Sequence, residues 1–181
     1  MVNKTTFKQY LLEAEEKMPR AEDVHDLFAS IVDGHFTKDG SKLKVTGDFY
    51  CNNNQLKSLE GCPQTVGGYF SCSDNKLESL EGCPQTVGGG FYCWNNKKLT
   101  SLARINFYVH EITGAADGAN FRGCPIKSNI LGLLKIRGLK KVKFTDEKLQ
   151  EIMNRHLPMG DSTDCIDDLL DAGYSKEYCK W

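Results

Sequence analysis

A 21-residue stretch of this chain recurs almost word for word. GDFYCNNNQLKSLEGCPQTVG at 47–67 returns as GYFSCSDNKLESLEGCPQTVG at 68–88, and a shortened copy, GGFYCWNNKKLTSL, follows at 89–102 with one extra lysine. A repeat this short cannot bury its own apolar face, so each copy must stack on its neighbours as one coil of a solenoid. Such an architecture displays a surface more readily than it encloses a reaction centre.

Aligned copies give columns with a physical meaning. Val45, Val66 and Val87 share one column, Phe49, Phe70 and Phe91 the next, and Cys51, Cys72 and Cys93 the next. Asn54, Asn75 and Asn96 follow, then Leu56, Leu77 and Leu99, then Leu59, Leu80 and Leu102. Phe-x-Cys has the period of two expected of a short strand with one buried face. The asparagine suits a tight bend, where its amide can bond backbone groups that the turn leaves open. Leu-x-x-Leu carries the chain back across the core, and Gly-Cys-Pro and Val-Gly-Gly supply turns before the next strand.

The composite pattern F-x-C-x-x-N-x-L-x-x-L-x-x-x-P resembles the leucine-rich repeat, most closely the short bacterial variety. Its wording, SLEGCP-x-x-VGG-x-F-x-C-x-x-N, is similar to small leucine-rich-repeat-like proteins of T-even-type tailed bacteriophages. The resemblance covers 45–102 and extends to ILGLLKIRGLKKV and the helices after it. It implies a solenoid fold and a viral origin and no settled activity; the charged N-terminus MVNKTTFKQYLLEAEE, where a secretion signal would be apolar, adds the expectation of a protein acting in the host cytoplasm.

The fold expected is α+β: a leucine-rich-repeat-like stack of parallel strands capped by helices at both ends. Residues 1–34 form the N-terminal helical cap, 35–102 a hairpin and the solenoid, 103–121 an insertion in the third repeat, and 122–181 a strand and the C-terminal cap. At the N-terminus Phe7, Tyr10, Leu11, Ala14 and Met18 share one helical face, and Val24, Leu27, Phe28, Ile31 and Val32 another that ends at Gly34. HFTKDGSKLKV reads as a hairpin turning at Asp39-Gly40, with Leu43 and Val45 inward. LLKIRGLKKVKF alternates as a strand or strand pair. Leu149, Ile152 and Met153 line a helix that stops near Pro158. Ser162 or Thr163 starts another, with Ile166, Leu169 and Leu170 inward and Gly173 at its end.

Eight cysteines raise the questions of disulfides and zinc. In the repeats they lie 10 or 11 residues apart and no C-x-x-C pair occurs, which argues against a metal site. Cys51, Cys72 and Cys93 fall in an inward column, where a free thiol packs as a small hydrophobe. Cys62, Cys83 and Cys124 sit in three copies of a Gly-Cys-Pro turn. The sequence has no P-loop, dinucleotide fingerprint, H-E-x-x-H or G-x-S-x-G, so neither an enzyme nor a cofactor is expected. No apolar run approaches the ~20 residues of a membrane span, so no membrane association is expected.

Net charge is −1, distributed as −3 over 1–34, +7 over 35–144 and −5 over 145–181. Three surfaces are candidates for function. If Phe and Cys point inward, Tyr50, Ser71 and Tyr92 point outward, flanked by Asp48, Asn52, Tyr69, Ser73 and Trp94, and rigid amphipathic aromatics of this kind suit recognition. The insertion places Tyr108, His110 and Glu111 beside the repeats; neighbouring His and Glu on a strand face opposite ways, which favours a partner-contacting loop over acid–base chemistry. Lys135, Arg137, Lys141 and Lys143 would make one strand face positive, an electrostatic fit to nucleic acid. The leading expectation is a phage module that binds, and thereby inhibits, a host protein, such as a defence component. The alternative is a nucleic-acid-binding accessory protein.

Overall fold

The computed structural model describes residues 36–39, 42–114 and 118–181, with side chains from residue 44 onward. The expected N-terminal helices at 1–34 lie outside the described residues. Ten strands occur among the described residues: β1 (Phe36–Asp39), β2 (Lys42–Val45), β3 (Phe49–Tyr50), β4 (Thr65–Val66), β5 (Phe70–Ser71), β6 (Thr86–Val87), β7 (Phe91–Tyr92), β8 (Glu111–Ile112), β9 (Ala119–Asn120) and β10 (Val142–Lys143). They form a parallel-strand β-solenoid of about five turns. Only the β1–β2 hairpin is antiparallel, with Phe36 opposite Val45 and Asp39 opposite Lys42.

Each coil contributes to two sheets, ordered β1-β2-β4-β6-β8 and β10-β9-β7-β5-β3. The Phe-x-Cys strands build the second, as expected. The first is made by Thr-Val, which the repeat pattern assigns to a turn. Thr65 and Thr86 lie in register, as do Val66 and Val87, and the valines are fully buried. The Gly-Gly that follows is the corner between sheets. A Cβ on Gly88 would collide with the carbonyl oxygen of Gly67 in the coil before, so coils touch there backbone to backbone.

The core is a set of columns along the solenoid axis. Phe49, Phe70 and Phe91 stack at ring-centroid separations of 6.0 and 5.2 Å. Beyond Phe91 the order of sizes reverses. Phe91 is in register with Ala119 and then Val142, so the cysteine column continues into Phe121 and Phe144. The aromatic stack shifts by two residues without breaking, Phe91–Phe121 at 6.1 Å and Phe121–Phe144 at 5.9 Å. One large and one small side chain per coil keep the cross-section constant, as close packing demands.

The same register changes the reading of 103–121. This segment completes the third coil: Glu111–Ile112 enters the first sheet beside β6, and Ala119–Asn120 the second beside β7. The extra length is taken up by a helical turn, α1 (Ile105–Tyr108), and by the stretch before β9. Cys124 is also relocated. Its local turn matches those of Cys62 and Cys83, each amide bonding the carbonyl three residues earlier. In the register of the coils, however, it stands at the asparagine position, and its thiol donates to the Cys93 carbonyl at 3.0 Å.

LLKIRGLKKVKF is not a strand pair. Leu131–Lys135 is a 3-10 helix with four buried residues, and only Val142–Lys143 is strand. Its apolar positions turn inward every residue or two, which alternation alone reads as β. Two helices follow, α2 (Glu147–His156) and α3 (Thr163–Asp171). Asp146 caps α2 by accepting from Leu149 N at 3.0 Å. Asn154 on α2 bonds both backbone groups of Val142, at 2.6 and 3.0 Å, and Gln150 accepts from Phe144 N at 3.2 Å. In α3, Cys165 and Leu169 are buried, whereas Leu170, expected inward, is 38% exposed. The buried face is centred on Cys165 and Leu169, one turn apart, which puts Leu170 at its edge.

Candidate functional site

The outer face of the second sheet carries three rows set by strand register. Tyr50, Ser71, Tyr92, Asn120 and Lys143 align in one. Two residues earlier lie Asp48, Tyr69, Gly90, Gly118 and Lys141; two residues later lie Asn52, Ser73, Trp94, Arg122 and Thr145. Strand alternation sends all three rows outward because Phe and Cys point in.

The aromatic side chains of this face form an ordered set. Tyr50, Tyr69 and Trp94 are 42%, 36% and 40% exposed. Tyr92, half-buried, stacks on Tyr69 across adjacent coils at 5.8 Å and 10°. The Tyr50 hydroxyl donates to Asp48 Oδ2 at 3.0 Å, while Asp48 Oδ1 accepts from Tyr69 N at 2.8 Å. Partial burial, and then the Asp48 carboxylate, push the Tyr50 hydroxyl above its ordinary pKa, so it stays protonated as a donor. Asn52 is exposed beside this group.

Ser71 does not join the exposed surface. It is 6% exposed and Ser73 is fully buried, their hydroxyls bonded at 3.3 Å. Each lies in register between larger side chains, Tyr50 and Tyr92 in one row, Asn52 and Trp94 in the other. They make a floor between aromatic walls, which alternation cannot reveal because it gives direction and not cover.

Tyr108, His110 and Glu111 belong elsewhere. Tyr108 ends α1, half-buried, with the Arg104 guanidinium 5.9 Å from its ring centre and 5.8 Å from that of the exposed Phe107. His110 is exposed beside β8 of the first sheet, and Glu111 pairs with Arg137 at 3.1 Å. The four basic residues are also divided. Lys135 lies on the 3-10 helix with its ammonium over the Trp181 ring at 5.1 Å, and Arg137 is held by Glu111. Lys141 and Lys143 alone share a strand face, and it is the face that carries the tyrosines.

Sequence reasoning missed Arg122 and Lys97 as members of this surface. Arg122 follows Trp94 in its row, and the Lys97 ammonium reaches 3.3 Å from where a Cβ on Gly123 would stand. The signal was present in GANFRG, where Asn120-Phe121-Arg122 repeats Tyr92-Cys93-Trp94 with the core sizes changed. Among the described residues no cluster of three or more His, Cys, Asp or Glu side chains could hold a metal ion. No helix among them is long and apolar enough to cross a membrane. No protein-family model matches this chain, and no curated protein or solved structure matches it at a significant level.

Proposed function

We propose that this chain is a protein-binding module whose recognition surface is the outer face of the second sheet. The observation that carries the reading is the grouping of Tyr50, Tyr69, Tyr92 and Trp94 on one face of a scaffold held by continuous backbone bonding between coils. Rigid aromatics with polar tips supply contact area at low entropic cost, and the buried serine floor fixes their spacing. The resemblance to small T-even-type phage proteins supports a host protein as the target, bound in the host cytoplasm and inhibited by occupation. The buried leucine columns support the leucine-rich-repeat reading, and the bonds from Asn154 and Gln150 to the last strand support a helical cap at that end.

The test is affinity capture from host lysate with wild-type bait and with a Tyr92→Ala/Trp94→Ala bait, followed by titration of the captured protein. Loss of two aromatic anchors is expected to weaken binding roughly thirtyfold or more. A double variant that folds and binds as the wild type does would remove this face from the interface. A partner that proves to be nucleic acid would move the reading to the alternative function.

A further inference from the structure

We infer that the segment of the partner seated on this face is acidic, with an apolar or aromatic anchor over Tyr92 and Trp94 and its carboxylates over the last two coils. The inference rests on the reading of the second sheet as the recognition surface and adds the chemistry of the partner. The face is graded in charge along the solenoid axis. At the first coil its one carboxylate, Asp48, is committed to Tyr50 and to the Tyr69 amide. At the other end Arg122, Lys141 and Lys143 stand on the same outward rows, with Lys97 beside Gly123.

Among the described residues these basic groups have no counter-charge. Of the four arginines among the described residues, Arg104 lies over two rings, Arg137 pairs with Glu111 and Arg155 pairs with Asp168 and Glu151. Among the described residues Arg122 has neither a carboxylate nor a ring, and no ion pair forms at Lys97, Lys141 or Lys143. The acidic residues that follow Lys143 in sequence are otherwise occupied. Asp146 caps α2 and accepts from the Tyr174 hydroxyl, and Glu147 stands in the first turn of α2, where it offsets the helix dipole. An arginine beside an exposed tryptophan, with two lysines on the next coil, is a surface complementary to an anchor followed by carboxylates.

The geometry sets the spacing. Coils repeat at roughly the 4.8 Å of paired strands, so the coil of Tyr92 lies ~10 Å from that of Lys143. An extended peptide advances ~3.3 Å per residue, so carboxylates two to four residues beyond the anchor meet the basic rows. The partner segment therefore crosses the strands rather than adding to an edge.

The experiment is fluorescence anisotropy with labelled peptides of about twelve residues: one Phe followed by a run of Glu, the same with Gln for Glu, and the same with Lys for Glu. Oligothymidylate of equal charge is the nucleic-acid arm. Wild-type protein should bind the Glu peptide about tenfold tighter than the Gln peptide in dilute salt, and the advantage should shrink as salt approaches about 0.5 M. Arg122→Glu/Lys143→Glu should reverse the preference towards the Lys peptide, a gain of binding that misfolding cannot produce. Equal affinity for the three peptides, a reversed order, or tighter binding of oligothymidylate through Tyr92 and Trp94 overturns the inference. For a captured partner, loss of binding in Tyr92→Ala/Trp94→Ala but not in the charge-reversed variant would retain the recognition face and reject the acidic segment. Indifference to both rejects both.

Discussion

The side-chain amide of Asn96 donates to the carbonyl oxygen of Cys72, one coil back, at 3.1 Å. It also donates to Cys93 O at 3.0 Å, and its oxygen accepts from Leu77 N at 3.1 Å. Asn75 repeats the arrangement, bonding Cys51 O, Cys72 O, Asn54 N and Leu56 N at 2.9 to 3.0 Å. One buried amide thus closes the bend of its own coil and ties it to the coil before.

Asn96→Ala should therefore be costly. It leaves Leu77 N and Cys72 O without the amide in a buried place, and about 3 kcal/mol of stability should be lost, read as a lower urea midpoint. Asn54 holds the same place in the repeat, but among the described residues its side chain bonds Asn52 O alone, near the surface. Asn54→Ala should cost less than about 1 kcal/mol. Equal losses at the two positions would show that the ladder adds nothing between coils.

The reversal of sizes between coils predicts strong coupling. Phe121→Cys opens a cavity between Phe91 and Phe144 and should cost about 3 kcal/mol, while Ala119→Phe overfills the same coil. Ala119→Phe/Phe121→Cys restores the order of the earlier repeats, and should be more stable than either single variant. A double-mutant cycle by chemical denaturation checks this, and additive losses would contradict it.

Burial governs the thiols. Burial pushes Cys72 and Cys165 up to about 12, and raises Cys62, Cys83 and Cys93 as well. Of the eight free cysteines seven are buried and Cys179 is half-buried. At about pH 8 an aromatic disulfide reagent should modify one thiol per native chain quickly, and all eight after unfolding. Three or more fast native thiols would contradict the buried columns.

Acid should weaken the contact between the last two helices. Asp168 lies 2.8 Å from both His156 Nε2 and Arg155 Nη1. The hydrogen bond with His156, aided by the Arg155 charge, holds its carboxyl below the ordinary 3.8. A depressed folded-state pKa contributes stability that is full above the unfolded value and is lost as pH falls through the folded one. The gap in Tm between wild type and Asp168→Asn should narrow as pH falls below about 4. A gap unchanged down to about pH 2 would exclude this linkage.

Much of the fold was legible in the repeats. Phe49, Phe70 and Phe91, the three cysteines after them and both leucine columns are buried as the alternation requires. The tyrosines and Trp94 were legible on the same ground, since inward Phe and Cys leave them only the outer face. Ser71 was not, because its cover comes from neighbouring coils. The shared face of Lys141 and Lys143 with Tyr92 was also hidden. It depends on Val142 pairing with Ala119, and the sequence there keeps neither the repeat length nor its order of sizes.

By itself the sequence determined the periodicity, the inward columns and the need to stack, because a 21-residue unit with one apolar stripe has no other way to leave water. Tertiary structure decided the Thr-Val sheet, the place of Cys124 in the asparagine column, and the joining of an aromatic strip to a basic end. Each of these turns on which residue stands beside which in the next coil. Inter-coil register is settled by backbone bonding and packing volume summed over whole coils, a constraint that no single repeat contains.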